Sequence, residues 1–525
     1  MRLRGVPSRG LVAVFAAALL VTPAVPVSAQ RETVLGLAIQ DEPAGLDPQR
    51  IIQLTAHQTM LHIYQRLVYI DEKEGPKPYL AESWQTSEGG RVITFRLRRG
   101  HRFHDGTPVD AQAVAFTFNR ILDPATRSPH RGSLGPIRSV EALDDATVRF
   151  TFERPFAPIL TNLALAYMGI VSPTAVRRLG DAFMRNPVGS GPFRFDRWVP
   201  GSEIHLVRNE HYIPTRGDVK IRGPVAVDRL VIRIVPEEGA RVAGLETGTI
   251  HVGDAPLEEV FRLQKDKRFN VVINKNVTNL SMIEINPKLP PTNDIRVRRA
   301  IAHAVNIRDI AGAAYSGLAT PNPGIIPPAH LGYDPALGQK YGYKYDPAKV
   351  RELLTEAGYK RSPGGFWEKD GKPLTLVFWT YSLPNGLKGG TVIQSYLRRA
   401  GFDVRMEVFE VATVLQRLPE GRHNINFMWW AWPDPIMLSL VFKCPGWKNG
   451  YCNPELDRLL AKADEELDVA KRKAAIQEAA IFLLKDAGVV PICFNWGVFL
   501  TRADTEGIRT DGAGFLVLED ARIKR

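Results

Sequence analysis

Between Val92 and Arg98 apolar and polar residues alternate strictly, with Ile93, Phe95 and Leu97 on one face and Thr94, Arg96 and Arg98 on the other. That period of two predicts a half-buried strand. Val148, Phe150 and Phe152 repeat the pattern, as do Leu230, Ile232 and Ile234. Elsewhere the period lengthens to that of a helix. Val350, Leu353, Leu354 and Ala357 fall at i, i+3, i+4 and i+7 behind Asp346-Pro347, an N-cap with proline at the first helical position, and Gly358 stops the run. Asn453-Pro454 opens a second helix with Leu456, Leu459, Leu460, Ala463 and Leu467 as its inward stripe, and Asp468 caps a third over Val469 to Lys485. The third leads into the apolar strand Val489 to Phe494. Helices alternating with strands predict α/β lobes, and the strand- and turn-rich stretch Tyr79 to Phe152 predicts a separate small α+β subdomain.

The N-terminus follows neither period. Arg2, Arg4 and Arg9 precede an unbroken apolar run from Leu11 to Val21, and Val27-Ser28-Ala29 has the form of a cleavage site. Eleven apolar residues fall short of the ~20 that span a bilayer, so the expectation is a removed export signal over 1–29 and a mature chain from Gln30. No cysteine follows the site, which argues against a lipid anchor. Subtracting 29 from 525 leaves 496 residues, enough for two or three domains. The net charge of +12 becomes +9 without the three leader arginines. Its densest clusters, Arg96 with Arg98-Arg99 and Arg296 with Arg298-Arg299, read as solvated faces, so nucleic acid is not an expected partner. Of three cysteines, Cys444 and Cys452 flank the turn formers Pro445-Gly446 and Asn449-Gly450, which predicts a short disulfide loop, and Cys493 reads as buried.

Catalytic and metal signatures are missing. The sequence holds no G-x-S-x-G, H-E-x-x-H or P-loop pattern, and Gly189-Ser190-Gly191 reads as a glycine turn. His57, His62, His101 and His104 carry no metal-ligand spacing and read as structural, so neither catalytic residues, nor a metal, nor a cofactor are expected. The unusual feature is Met428-Trp429-Trp430-Ala431-Trp432-Pro433-Asp434-Pro435. Successive strand side chains face opposite ways, so at least one indole is expected to face a cleft.

Ala81-Glu82-Ser83-Trp84, Ile93 to Gly100, Phe103-His104-Asp105-Gly106-Thr107-Pro108, Asn186 to Phe193, Asp228-Arg229-Leu230, Asp294 to Arg298 and Asn453 to Asp457 together resemble the extracellular solute-binding proteins of family 5, the peptide-, nickel- and opine-type receptors of ABC importers. The resemblance spans essentially the whole mature chain. It implies a two-lobed periplasmic binding protein fold of type II, cluster C. Lobe I would collect 30–65, 185–280 and 489–525, the small inserted domain 66–184, and lobe II 281–488. It also implies a monomer in the periplasm that captures a small-molecule ligand between its lobes and delivers it to permease subunits in the inner membrane.

The resemblance weakens where ligand identity is set. Peptide-binding relatives place an aspartate where this chain has Ala431 or Trp432, and an arginine in the loop where it has Trp379-Thr380-Tyr381-Ser382. The expected ligand-binding set is therefore aromatic: Trp379, Tyr381, Trp429, Trp430, Trp432 and Trp496, with Asp434 beside them. A peptide-like solute with an apolar face fits better than a small zwitterion. An oligosaccharide, opine or metal chelate, and a sensor or chaperone role on the same fold, are the alternatives.

Overall fold

The computed structural model describes residues 32–72, 74–254, 256–444 and 450–524. The expected export signal and the turn Pro445–Asn449 lie outside the described residues. Two large mixed sheets organise the described chain. The first runs in the order Phe269–Asn274, Gly497–Arg502, Val252–Gly253, Val34–Ile39, Arg229–Ile234, Glu203–Arg208, Phe193–Val199. The second runs Ala319–Pro321, Val489–Asn495, Asn279–Ile285, Ile425–Ala431, Thr375–Tyr381, Asp403–Phe409. Each has its own apolar core. A third core lies under a four-stranded antiparallel sheet built from Ala81–Ser87, Val92–Leu97, Thr147–Phe152 and Ile137–Ala142, on which the helix Ala111–Leu122 packs.

The helices begin where the sequence places their caps. Asp346 accepts from the N–H groups of Ala348 and Lys349, Asn453 from those of Glu455 and Leu456, and Asp468 from that of Lys471. Each side chain satisfies donors that a first helical turn leaves unpaired. Three readings need correction. The helix Pro454–Glu465 stops short of Leu467, which is 45% exposed and does not join the inward stripe. Arg298 is not on a solvated face: it is buried, and its guanidinium donates to the Asp486 carboxylate at 2.9 Å. Val489–Asn495 does not belong with lobe I. It pairs with Asn279–Ile285 and Ala319–Pro321 in the second sheet, because its residues from Val489 to Phe494 are apolar and buried there, and the chain re-enters the first sheet only at Gly497.

The glycines at 189 and 191 lie where the backbone passes against Ile63. A Cβ at position 189 would sit 2.1 Å from the Ile63 carbonyl oxygen, so close approach rather than turn geometry requires glycine. Cys444 and Cys452 form a disulfide with Cα atoms 5.1 Å apart, and Cys493 is buried. Among the described residues no helix is long and apolar enough to cross a membrane.

Candidate functional site

Strand directions decide which ends of the sheets meet. In the second sheet Thr375–Tyr381 and Ile425–Ala431 are parallel, and Asn279–Ile285 runs against Ile425–Ala431 and Val489–Asn495. One edge therefore carries the ends at Tyr381, Ala431 and Asn495 and the start at Asn279. In the first sheet the same reasoning gathers the ends at Ile39, Ile234, Gly253 and Asn274 and the start at Gly497. Only residues 275–278 and Trp496 join the two sheets along these edges, so the edges oppose each other across a short hinge. Carboxyl ends of strands are where open α/β sheets hold ligands.

The edge of the first sheet is polar. Gln40 donates to Asp254, and Asp254 pairs with the buried guanidinium of Arg241 at 2.7 Å. Arg241 also donates to the carbonyls of Val235 and Pro236, both at 2.8 Å, tying three strand ends together. Beside them the Asp41 carboxyl is raised above the usual carboxylate range by burial, against a hydrogen bond from Thr55.

The edge of the second sheet is aromatic. Trp429 shares a face with Ser281, whose hydroxyl lies 2.6 Å from that of Tyr315. Trp430, on the other face, donates its indole N–H at 2.5 Å to Glu284, a fully buried carboxylate that also accepts from Asn426. Trp432 donates to Asn162 at 3.0 Å, and Trp496 donates to Thr320 at 2.8 Å under the ammonium of Lys275. All four rings are half-buried. They stand on one edge because three follow from a single strand end and the fourth is the hinge residue.

The other three expected residues are elsewhere. Trp379 is 1% exposed, donates to Glu407 at 3.1 Å and packs against Phe409 and His423. Tyr381 is fully buried and stacks on Phe427. Neither presents surface to a ligand: Arg417, in the helix Val411–Arg417, lies over the Trp379 ring, and Gly386, at the start of the helix Pro384–Ala400, packs against Tyr381. The Asp434 carboxylate is taken up by Arg472 at 2.7 Å and the Ile436 N–H at 2.8 Å. Sequence reasoning missed Gln40, Asp41, Asp254 and Arg241. The positions after Val34–Ile39 could have been found from the strand end alone, whereas Arg241 lies on a helix with no distinguishing pattern.

Among the described residues no group of three His, Cys, Asp or Glu converges to hold a metal. His57, His62, His101, His104, His130 and His330 are buried or nearly so, and burial pushes all six down, the last four to about 4. A cavity of about 640 Å³ lies on the small domain between Asp110, Phe116, Arg120, Pro173 and Arg177, and shares no residue with either edge.

The profile of the bacterial extracellular solute-binding proteins, family 5 Middle, matches residues 75–449. The chain belongs to that family. It is 27% identical over 551 residues to the dipeptide-binding protein of Escherichia coli K12, across 96% of this chain and 97% of the relative. It is 29% identical over 495 residues to heme-binding protein A of Haemophilus influenzae, across 87% and 86%. Its fold is similar to the dipeptide-binding protein of Pseudoalteromonas sp. SM9913 in complex with Met-Leu, with a TM-score of 0.81 at 28% identity, across 94% of this chain and 100% of that one. The family 5 solute-binding protein described here is thus the two-lobed, solute-capturing component of an ABC importer.

Proposed function

We propose that this solute-binding protein holds a peptide-like organic solute between the two strand edges, with an apolar side of the solute against Trp429 and Trp430 and its donor end met by Gln40 and Asp41. The observation that carries this reading is the opposition of a polar edge and an edge of four indoles across a two-segment hinge. Apolar walls with a few fixed polar groups are how small-molecule clefts are built. The indole N–H groups of Trp430, Trp432 and Trp496 already have partners, so these rings offer their faces and edges more than their donors. Asp41, already costly to charge because it is desolvated, gains from a cationic or strongly donating group on the solute.

The likeness to dipeptide-binding relatives supports a peptide-like solute, and the aromatic edge supports one bearing a large apolar face. In this reading the chain performs no catalysis and needs no cofactor. It works as a monomer, free in the periplasm once residues 1–29 are removed, and binds no nucleic acid. Lobe I comprises 32–65, 185–274 and the strand from Gly497 onward, the small domain 66–184, and lobe II 279 to Asn495, with 275–278 and Trp496 as the hinge. Native mass spectrometry of the purified mature protein, followed by release and identification of the adduct, tests the proposal. A small organic adduct with an apolar face is expected. A nucleotide, a bare metal ion or a turned-over product would contradict it.

A further inference from the structure

The small domain is bound to the first lobe by buried polar contacts. Arg120 grips Asp47 with two hydrogen bonds of 2.8 and 2.6 Å, His130 meets the Ile51 carbonyl at 2.8 Å, and the Ala166 N–H donates to His57 at 3.0 Å. These contacts make the two a single body. The second lobe is joined to that body by the hinge at 275–278 and Trp496, reinforced by a bond from Ser316 to Glu258 at 3.2 Å.

A second set of contacts ties the second lobe to the small domain. Trp432 donates to Asn162, which is fully buried and donates in turn to the Ser133 carbonyl at 2.8 Å. The Trp432 ring packs against the cores of the first lobe, the small domain and the helical layer of the second lobe. Four residues on, Ile436 is 4% exposed within the small domain's own core. At the end of the helix Pro454–Glu465, the Asp464 carbonyl accepts from the Ala157 N–H at 2.8 Å, Glu465 pairs with Arg154 at 2.8 Å, and Leu467 lies over Gly90.

We propose that the small domain is a clasp onto which the second lobe closes, with Trp432 as the pin that couples closure over the solute to docking on Asn162. The inference rests on the reading that solute lies between the strand edges, because Trp432 begins one residue beyond the edge that would contact it. A rotation about the hinge that opens the cleft must withdraw Trp432 and Ile436 from the small domain, exposing apolar surface and unpairing Asn162. Trp432 is thus a positioning residue.

The test places spin labels on exposed Glu141→Cys in the small domain and Lys473→Cys in the second lobe and reads their distance distribution, with the parent chain otherwise intact. The parent is expected to show a short component, matching the docked arrangement, and a longer one. Trp432→Phe with Arg154→Ala should lower the short-to-long ratio about fivefold, the equivalent of about 1 kcal/mol, with the near-ultraviolet spectrum of the disulfide-linked second lobe retained. Arg154→Ala with Glu465→Ala, confined to an exposed pair, should lower it about twofold and is unable to unfold the lobe. An unchanged ratio in both variants, or a parent with no short component, overturns the proposal. The labels report closure whether or not solute is present, so failure here leaves the identity of the solute, read by mass, as a separate outcome.

Discussion

Replacing Asp434 by alanine separates a structural from a ligand-binding role for the acid beside the tryptophans. Its side chain is 4% exposed and that of Arg472 11%, at 2.7 Å, and Arg472 also donates to the Ala463 carbonyl at 3.2 Å. Removing one partner of a buried pair strands the other charge and costs about 3–5 kcal/mol. Asp464 modulates the loss. Its carboxyl is pushed up to about 7, by burial first and by the nearby Asp434 charge, against the Ser439 hydrogen bond and the charges of Lys443 and Arg472. Without Asp434 it ionises more readily, from below that value, and becomes a substitute counter-ion. The loss should therefore lie near the upper figure at pH 5, where Asp464 holds its proton longest, and near the lower one at pH 8. Urea unfolding followed by tryptophan fluorescence at the two pH values measures it. Asp434→Leu combined with Arg472→Met should recover most of the stability, since a well-packed apolar pair replaces a buried ionic one. Loss of less than about 1 kcal/mol in Asp434→Ala, accompanied by collapse of solute affinity, would return Asp434 to the ligand.

Cys444→Ser with Cys452→Ser should lower stability by about 2–3 kcal/mol, the loop-closure entropy of a cross-link eight residues apart, read as the shift of the urea midpoint. The buried histidines at 101, 104, 130 and 330 are neutral when folded and titrate near 4 instead of 6.5, so each stabilises the fold fully above about pH 6.5 and loses about 3 kcal/mol as pH falls toward 4. Asp464 runs in the opposite sense, losing stability as pH rises toward 7, as do the other carboxyls that burial raises, Asp41, Glu238, Asp511 and Glu519; the histidine contribution is therefore read by comparing the parent with a His330→Gln variant, and a midpoint difference that stays constant from pH 7 to 4.5 would show the histidine to be solvated. Trp379→Ala should cost about 3–5 kcal/mol of stability and leave affinity unchanged, whereas Trp429→Ala should weaken binding of the co-purified solute at least tenfold with little change in stability.

The parts of the fold written in local chemistry were legible in the sequence. Asp346, Asn453 and Asp468 act on their own first turns, and the alternation at Val92 to Arg98 marks a strand whatever it pairs with. Long-range placement was less so. Val489–Phe494 is uniformly apolar, which fits a strand covered on both faces in either sheet, and only its pairing with Asn279–Ile285 assigns it to the second. The aromatic set divided for the same reason. Trp379 and Trp429 both follow apolar strand residues, but a helix covers one and the hinge edge exposes the other. Asp434 was expected among the ligand-binding residues, but its carboxylate pairs with Arg472, 38 residues away on the helix Val469–Lys485, beyond any spacing rule.

A crystal structure of the protein loaded with its co-purified solute shows whether the solute lies between the edge carrying Gln40 and Asp41 and the edge carrying Trp429 and Trp430. Continuous density between those two edges, in contact with at least one of the two indoles, is the expected result. Density confined to the groove between Asp110, Phe116 and Arg177 on the small domain, with the edges in contact only with water, would contradict it.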